Sequence, residues 1–166
     1  SYNNLGSAYD KKEEYDRAIE YYEKCLEIEL AKFGPSHPDV AISYNNLGSA
    51  YDKKEEYDRV IEYSEKALKI ELERLGPDHP DIATKYNNFG LRCTKAKDYE
   101  KAFEYSYKAA EMVMNERGDF SFENAPVIGN YGHALGMCGE TEKGVSFSHR
   151  ALKCKLEQET PSYSSI

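Results

Sequence analysis

Catalysis and metal binding need reactive groups held together, so the four histidines and four cysteines of the chain come first. Cys25, Cys93, Cys138 and Cys154 are scattered, without a Cys-x-x-Cys pair. Zinc needs ligands presented in pairs, so no metal site is expected, and so few cysteines do not make a disulfide framework. They read as reduced thiols of a cytoplasmic protein. His37 and His79 each precede Pro-Asp, where helix capping explains them better than catalysis. His133 and His149 have no acidic or cysteine partner at ligand spacing. Gly129, Gly132, Gly136 and Gly139 lack the Lys-Ser/Thr and the preceding strand of a phosphate-binding loop. The expectation is no catalytic residue, no cofactor and no enzyme.

The asparagines carry a different chemistry. Asn is a mediocre helix former, because its side chain competes for backbone hydrogen bonds. Yet Asn4, Asn46, Asn88 and Asn130 recur at a constant step of 42, and Asn3, Asn45 and Asn87 stand beside three of them. A carboxamide offers a donor and an acceptor together, which matches the main chain of an extended peptide. The same residues could instead bridge neighbouring helices and stabilise a stack, and both readings stand at this point. Lys11, Lys53 and Lys95 keep the same step. Each could offset a helix C-terminus. Three in register would also form a basic stripe for acidic side chains, diluted by Asp10 and Asp52.

These residues must be positioned by a repeat. Tyr2-Asn-Asn-Leu-Gly returns from Tyr44, as Tyr-Asn-Asn-Phe-Gly from Tyr86 and as Ile-Gly-Asn-Tyr-Gly from Ile128, while residues 1–42 and 43–84 differ at only ten places. A fixed period in this range means a solenoid. Tyr44, Leu47, Gly48 and Tyr51 stand at i, i+3, i+4 and i+7, one face of a first helix; Tyr57, Val60, Ile61, Ser64, Ala67 and Leu68 trace a second. Lys53-Lys54-Glu55-Glu56 is the turn between them. Gly76-Pro77-Asp78-His79-Pro80 ends one pair and starts the next, with Asp78 or His79 as cap and Pro80 in the first turn.

The pattern predicts helices near 1–12, 15–33, 38–54, 57–75, 80–96, 99–117, 124–138 and 141–158. Pro126 forces the seventh to start late, with Asn124 as cap, because a proline one turn inside removes a hydrogen bond. Gly6, Gly48, Gly90 and Gly132 sit mid-helix, where Gly costs roughly 1 kcal/mol relative to Ala. Close approach of the paired helix at Ala18, Ala102 and Gly144, with Val60 the exception, is the physical reason expected.

Thirty acidic against 22 basic residues leave a charge of −8, which argues against nucleic acid or an anionic membrane as partner. No stretch approaches the ~18 to 20 apolar residues of a membrane span. The chain opens on Ser without a basic-then-apolar leader, and is expected to be cut from something longer. One domain is expected over 1–158, in repeats 1–36, 37–78, 79–120 and 121–158, the first truncated at its start, followed by a polar tail over 159–166.

Tyr2, Leu5, Gly6, Tyr9, Ala18, Tyr22 and Cys25 carry a pattern that resembles the tetratricopeptide repeat (TPR). The 42-residue unit, with its Gly-Pro-Asp-His-Pro-Asp linker and Tyr-Asn-Asn-Leu-Gly word, is similar to the kinesin light chain branch. Departures are Cys93 for the Tyr, Gly144 for the Ala, and Ser64, Ser106 and Ser148 for the second-helix aromatic. The resemblance implies an all-α, right-handed superhelical solenoid of about four helix hairpins. It also implies a noncatalytic scaffold that takes an extended, acidic partner segment with an aromatic along its concave wall, which the first helices line. The groove residues are then Asn45, Asn46, Ser49, Lys53, Asn87, Asn88, Leu91, Lys95, Asn130 and His133. Two alternatives are an architectural slice of a longer solenoid, self-associating through its exposed ends, and a regulatory domain whose activity lies outside the chain.

Overall fold

A computed structural model describes residues 1–114 and 118–159, with side chains to 156. It is built from four helix hairpins: α1 (Tyr2–Lys11) with α2 (Tyr15–Phe33), α3 (Pro38–Lys53) with α4 (Tyr57–Leu75), α5 (Pro80–Lys95) with α6 (Tyr99–Val113), and α7 (Ala125–Met137) with α8 (Thr141–Glu159). There is no strand among the described residues. The residues fall into two compact units, Ser1–Ile82 and Ala83–Ile166, which divide near the start of α5. The expected tail begins at Glu159, the last residue of α8; residues 160–166 lie outside the described ones.

The caps follow the linker. His37 Nδ1 accepts from the Asp39 N–H and His79 Nδ1 from the Asp81 N–H, each at 3.2 Å, so His79 rather than Asp78 holds the helix start. Gly34 and Gly76 leave the preceding helices at φ of 83° and 84°, where a side chain is strained. Pro126 acts as expected: a 3₁₀ turn over Phe122–Asn124 precedes α7, and the proline sits in its first turn. Asn124 makes no side-chain cap there: its backbone is helical, at φ −93° and ψ −3°, rather than in the extended conformation a capping side chain needs.

α6 departs from expectation. It ends at Val113, and Met114 turns extended. The reason is apolar: Met114 and Phe120 pack on the cluster of Ala110, Ala125, Ile128, Tyr131 and Leu135, which a straight continuation would pull them from. Asn115–Arg117, the rest of the expected helix, lies outside the described residues.

Each unit has its own core. In the first, Ala18, Ile19 and Tyr22 of the first hairpin close on Leu47, Tyr51, Val60 and Tyr63 of the second. Val40 and Ala41, at the start of α3, extend it to Ala67 and Ile70. Between the helices of each hairpin runs an aromatic column: Tyr9 on Tyr21, Tyr51 on Tyr63, Phe89 on Tyr105 and Tyr131 on Phe147, at 5.2, 5.6, 4.6 and 5.1 Å between ring centres. The second-helix ring therefore stands at 21, 63, 105 and 147, one place before the serines that look like departures.

Those serines explain the glycines. A Cβ on Gly90 would meet Ser106 Oγ at 2.8 Å and the Ala102 carbonyl at 3.3 Å; one on Gly132 would meet Ser148 Oγ at 2.6 Å and the Gly144 carbonyl at 2.7 Å. In the first hairpin the obstacle to Gly6 is the Tyr22 ring at 2.6 Å. Close approach is thus the role, and at Gly132 it includes the expected Gly144, where a Cβ would meet the Gly132 carbonyl at 2.5 Å; at Gly6 and Gly90 the nearest side chain lies one turn beyond the small residue expected. That residue contributes its carbonyl where it is met at all.

Candidate functional site

The first helices carry all ten residues selected above. In the first unit α1 and α3 are tied side by side by two polar rungs. Asn46 Nδ2 donates to Asn3 Oδ1 at 2.9 Å. Two turns further along, Lys53 Nζ meets Asp10 Oδ2 at 2.5 Å. In the second unit Asn130 Nδ2 donates to Asn87 Oδ1, again at 2.9 Å. The second Asn of one repeat therefore reaches back to the first Asn of the repeat before it. The bridging use of these asparagines is the one present in the structure.

Bridging does not exhaust a carboxamide. The bond takes one N–H of Asn46 or Asn130, whose second N–H and carbonyl have further capacity. Both side chains are half-buried, as is Asn45, while Ser49, Lys53, Asn88, Leu91, Lys95 and His133 are exposed. Asn87 differs: it is buried, with its carbonyl taken by Asn130, so it positions a neighbour rather than meeting a ligand. His133 also belongs to a second surface, an open cleft of about 450 Å³ that it shares with Met137, Val145 and Leu152.

The basic stripe is not a row of lone cations. Lys53 holds Asp10, and Lys54 sits between Asp16 at 2.8 Å and Glu56 at 2.6 Å. Hydrogen bonds to those two carboxylates push the Lys54 ammonium well above the usual lysine range. The fourth repeat has Met137 where the second has Lys53, so the stripe stops there.

Cys25 is buried and its thiol donates to Glu29 Oε1 at 3.3 Å. Burial first, and Glu29 second, push that thiol up, the opposite of what a nucleophilic cysteine needs. Among the described residues no group of three His, Cys, Asp or Glu is placed to hold a metal ion. No described helix is long and apolar enough to cross a membrane.

One feature escaped sequence reasoning. Glu13, Glu55 and Lys97 close the hairpin turns at φ near +60°, and Gly139 fills the same slot at +91°. The signal was there, since a glycine appears at that frame position in the fourth repeat, but the first three give no hint of a left-handed residue.

The tetratricopeptide repeat family model matches residues 1–73 and 55–115. No curated protein matches the chain. Among solved structures, BtubC (BKLC) from P. vanneervenii is similar over 99% of this chain and 67% of its own, at 22% identity and a TM-score of 0.80. A kinesin light chain of Podosopora anserina with nearly identical TPR-like repeats follows at 14% identity, 99% and 77% coverage and a TM-score of 0.76. MamA is more distant, at 18% identity, 93% and 96% coverage and a TM-score of 0.53. Identities this low carry the fold and nothing finer. The all-α solenoid fold is shared with all three, and the family match runs over more than half of the residues. The four Gly-centred hairpins supply the geometric counterpart, and the chain belongs to the tetratricopeptide repeat family.

Proposed function

We propose that the chain is a noncatalytic scaffold that takes an extended segment of a partner protein along its first-helix faces. Tetratricopeptide repeat proteins generally mediate protein interactions, and this chain has their fold. The observations that carry the finer reading are made in each unit by itself: in the first, Ser49 and Lys53 are exposed on the helix that carries Asn45 and Asn46; in the second, Asn88 and Leu91 are exposed on α5; Asn46 and Asn130 keep hydrogen-bonding capacity after bridging. Carboxamides grip the peptide main chain, Leu91 receives an apolar or aromatic side chain, and Lys53 and Lys95 favour an acidic one. Asn87 is left out of the contact set because it is buried. An incoming carboxylate must share Lys53 with Asp10, so charge contributes less to affinity than the amides do. Its four cysteines, none of them in a disulfide, support a cytoplasmic place of action.

Titration of a labelled peptide library tests the groove. Asn45→Ala with Asn88→Ala should weaken all ligands by similar factors, because main-chain bonds ignore ligand sequence; two neutral bonds contribute about 1 to 3 kcal/mol together. Lys53→Glu with Lys95→Glu should penalise acidic ligands alone, and less as salt rises. Glu27→Lys on α2, a change the second repeat already carries at Lys69, should affect neither. Loss of binding in the α2 variant with none in the Asn variant would place the contact on the second helices.

A further inference from the structure

The linker between the first two hairpins differs from its repeat at one polar position. Ser36 stands where the next linker has Asp78, so one frame position holds a hydroxyl in the first copy and a carboxylate in the second. Both side chains are exposed. Both linkers leave a helix through a glycine, at φ of 83° and 84°, and both enter the next helix through a histidine cap. The same backbone therefore carries a neutral or an anionic side chain at this place.

Ser36 faces two ammonium groups across a small hollow of the first unit. With Tyr44, Lys66, Lys69, Ile70 and Glu73 it borders an open cavity of about 200 Å³, far more than the ~10 to 15 Å³ that one water needs. The Ser36 hydroxyl donates to Glu73 Oε2 at 3.0 Å, which ties the linker to α4. Lys66 is engaged: its Nζ meets Glu62 Oε1 at 2.7 Å and lies over the Tyr44 and Tyr63 rings at 5.7 and 5.3 Å. Lys69 is exposed, and no described residue pairs with it. In the repeats on either side the same row holds Glu27 and Glu111. The lysine thus replaces an acid in the one repeat whose second helix holds Ser36.

We propose that Ser36 is a phosphorylation site, and that Lys69, with Lys66 behind it, holds the phosphoryl group in place of the bond to Glu73. This goes beyond the groove reading, since the hollow is built mainly from the linker and α4. Asp39 follows Ser36 at three places, the spacing that acid-directed serine kinases read. Ser36 lies in a turn, and the next residue is extended, His37 at φ −77° and ψ 142°. Ser7 and Ser49 have an Asp at the same distance but lie inside α1 and α3, where helical hydrogen bonds keep the backbone from extending into a kinase cleft. In the transfer Ser36 Oγ bonds to the γ-phosphorus of ATP as that phosphorus loses its bond to the β–γ bridging oxygen. ADP leaves with the electron pair, and the hydroxyl proton passes to a carboxylate of the kinase. The product carries a charge of about −1.5 to −2 and has no proton to give Glu73. It repels that carboxylate and draws the unpaired ammonium of Lys69.

Incubation of the folded chain with magnesium, ATP and an acid-directed serine kinase, read by mass spectrometry, tests the site. One phosphoryl group should be gained, on Ser36, and Ser36→Ala should gain none. Phosphorus NMR then tests the two lysines. The second ionisation of phosphorylated Ser36 should fall about half a pH unit below that of a phosphorylated peptide of residues 33–40, because a nearby ammonium favours the dianion. Lys69→Ala should return it toward the peptide's value with helical circular dichroism unchanged, and so should high salt in the unsubstituted chain. A folded chain that gains a phosphoryl group elsewhere and not on Ser36, or gains none, overturns the site. A phosphorylated Ser36 that titrates as the peptide does, or that Lys69→Ala leaves unmoved, overturns the assignment of the lysines.

Discussion

Two seams in this molecule join one repeat to the next by equivalent residues, and they are not built alike. Between α1 and α3 the polar contacts are an amide pair, Asn3 with Asn46, and an ion pair, Asp10 with Lys53. Between α5 and α7 the amide pair returns unchanged as Asn87 with Asn130. The ion pair does not: Thr94 stands for the Asp and Met137 for the Lys. Thr94 turns its hydroxyl back to the Gly90 carbonyl at 3.1 Å, and Met137 is exposed. The amide bridge is thus the constant of the seam. A half-buried amide left alone loses a hydrogen bond it cannot fully replace, whereas a partly exposed ion pair is worth at most about 1 kcal/mol.

The hairpins beside the seams should show the largest effect. Gly132→Leu in the second unit drives side-chain atoms into the backbone of α8, and melts should show a loss of about 3 kcal/mol or more. Gly90→Ala meets a hydroxyl first and backbone only at 3.3 Å, so it should cost about 1 kcal/mol. Equal losses would mean that the two hairpins are packed equally tightly.

The amide bridges come next. Asn46→Ala and Asn130→Ala should each cost about 1 kcal/mol in urea titrations, within error of one another. A clear inequality would break the claim that this bridge is common to both seams. Smaller again is the ion pair. Lys53→Met, which copies the second seam into the first, should cost less than about 1 kcal/mol, and the loss should shrink in high salt. The converse, Thr94→Asp with Met137→Lys, should gain no more than that. The smallest effect is expected in the turns. Glu55→Gly and Lys97→Gly relieve a left-handed side chain as Gly139 does, at the cost of a more flexible unfolded chain, for a net gain of a few tenths of a kcal/mol.

Much of this architecture was legible from residue order. The helix starts at Pro38 and Pro80, the exits at Gly34 and Gly76 and the late start forced by Pro126 are local effects, set by fixed φ, absent donors and missing Cβ atoms within a few residues. Repetition added the rest, because a step of 42 that holds one frame through four copies, two of them with the same word, admits one supersecondary unit and its stacking. The end of α6 was not legible, since Met114 and Phe120 are drawn onto a cluster contributed largely by α7.

What the sequence by itself determined is which residues recur and on which helix they lie. It gave the asparagines two chemistries, bridge or ligand, because an amide's donors and acceptors are the same for either. Only the tertiary structure decided that Asn3 faces Asn46 and that Asn87 is buried beneath Asn130. It likewise decided that Lys53 leans on Asp10 and that Gly90 and Gly132 lie against serines one turn beyond the expected small residue. The reason is geometric. Periodicity fixes a residue's angle around its own helix, but hydrogen bonds form across roughly 3 Å, and which side chain lies within that reach depends on how far the neighbouring helix has slid and turned.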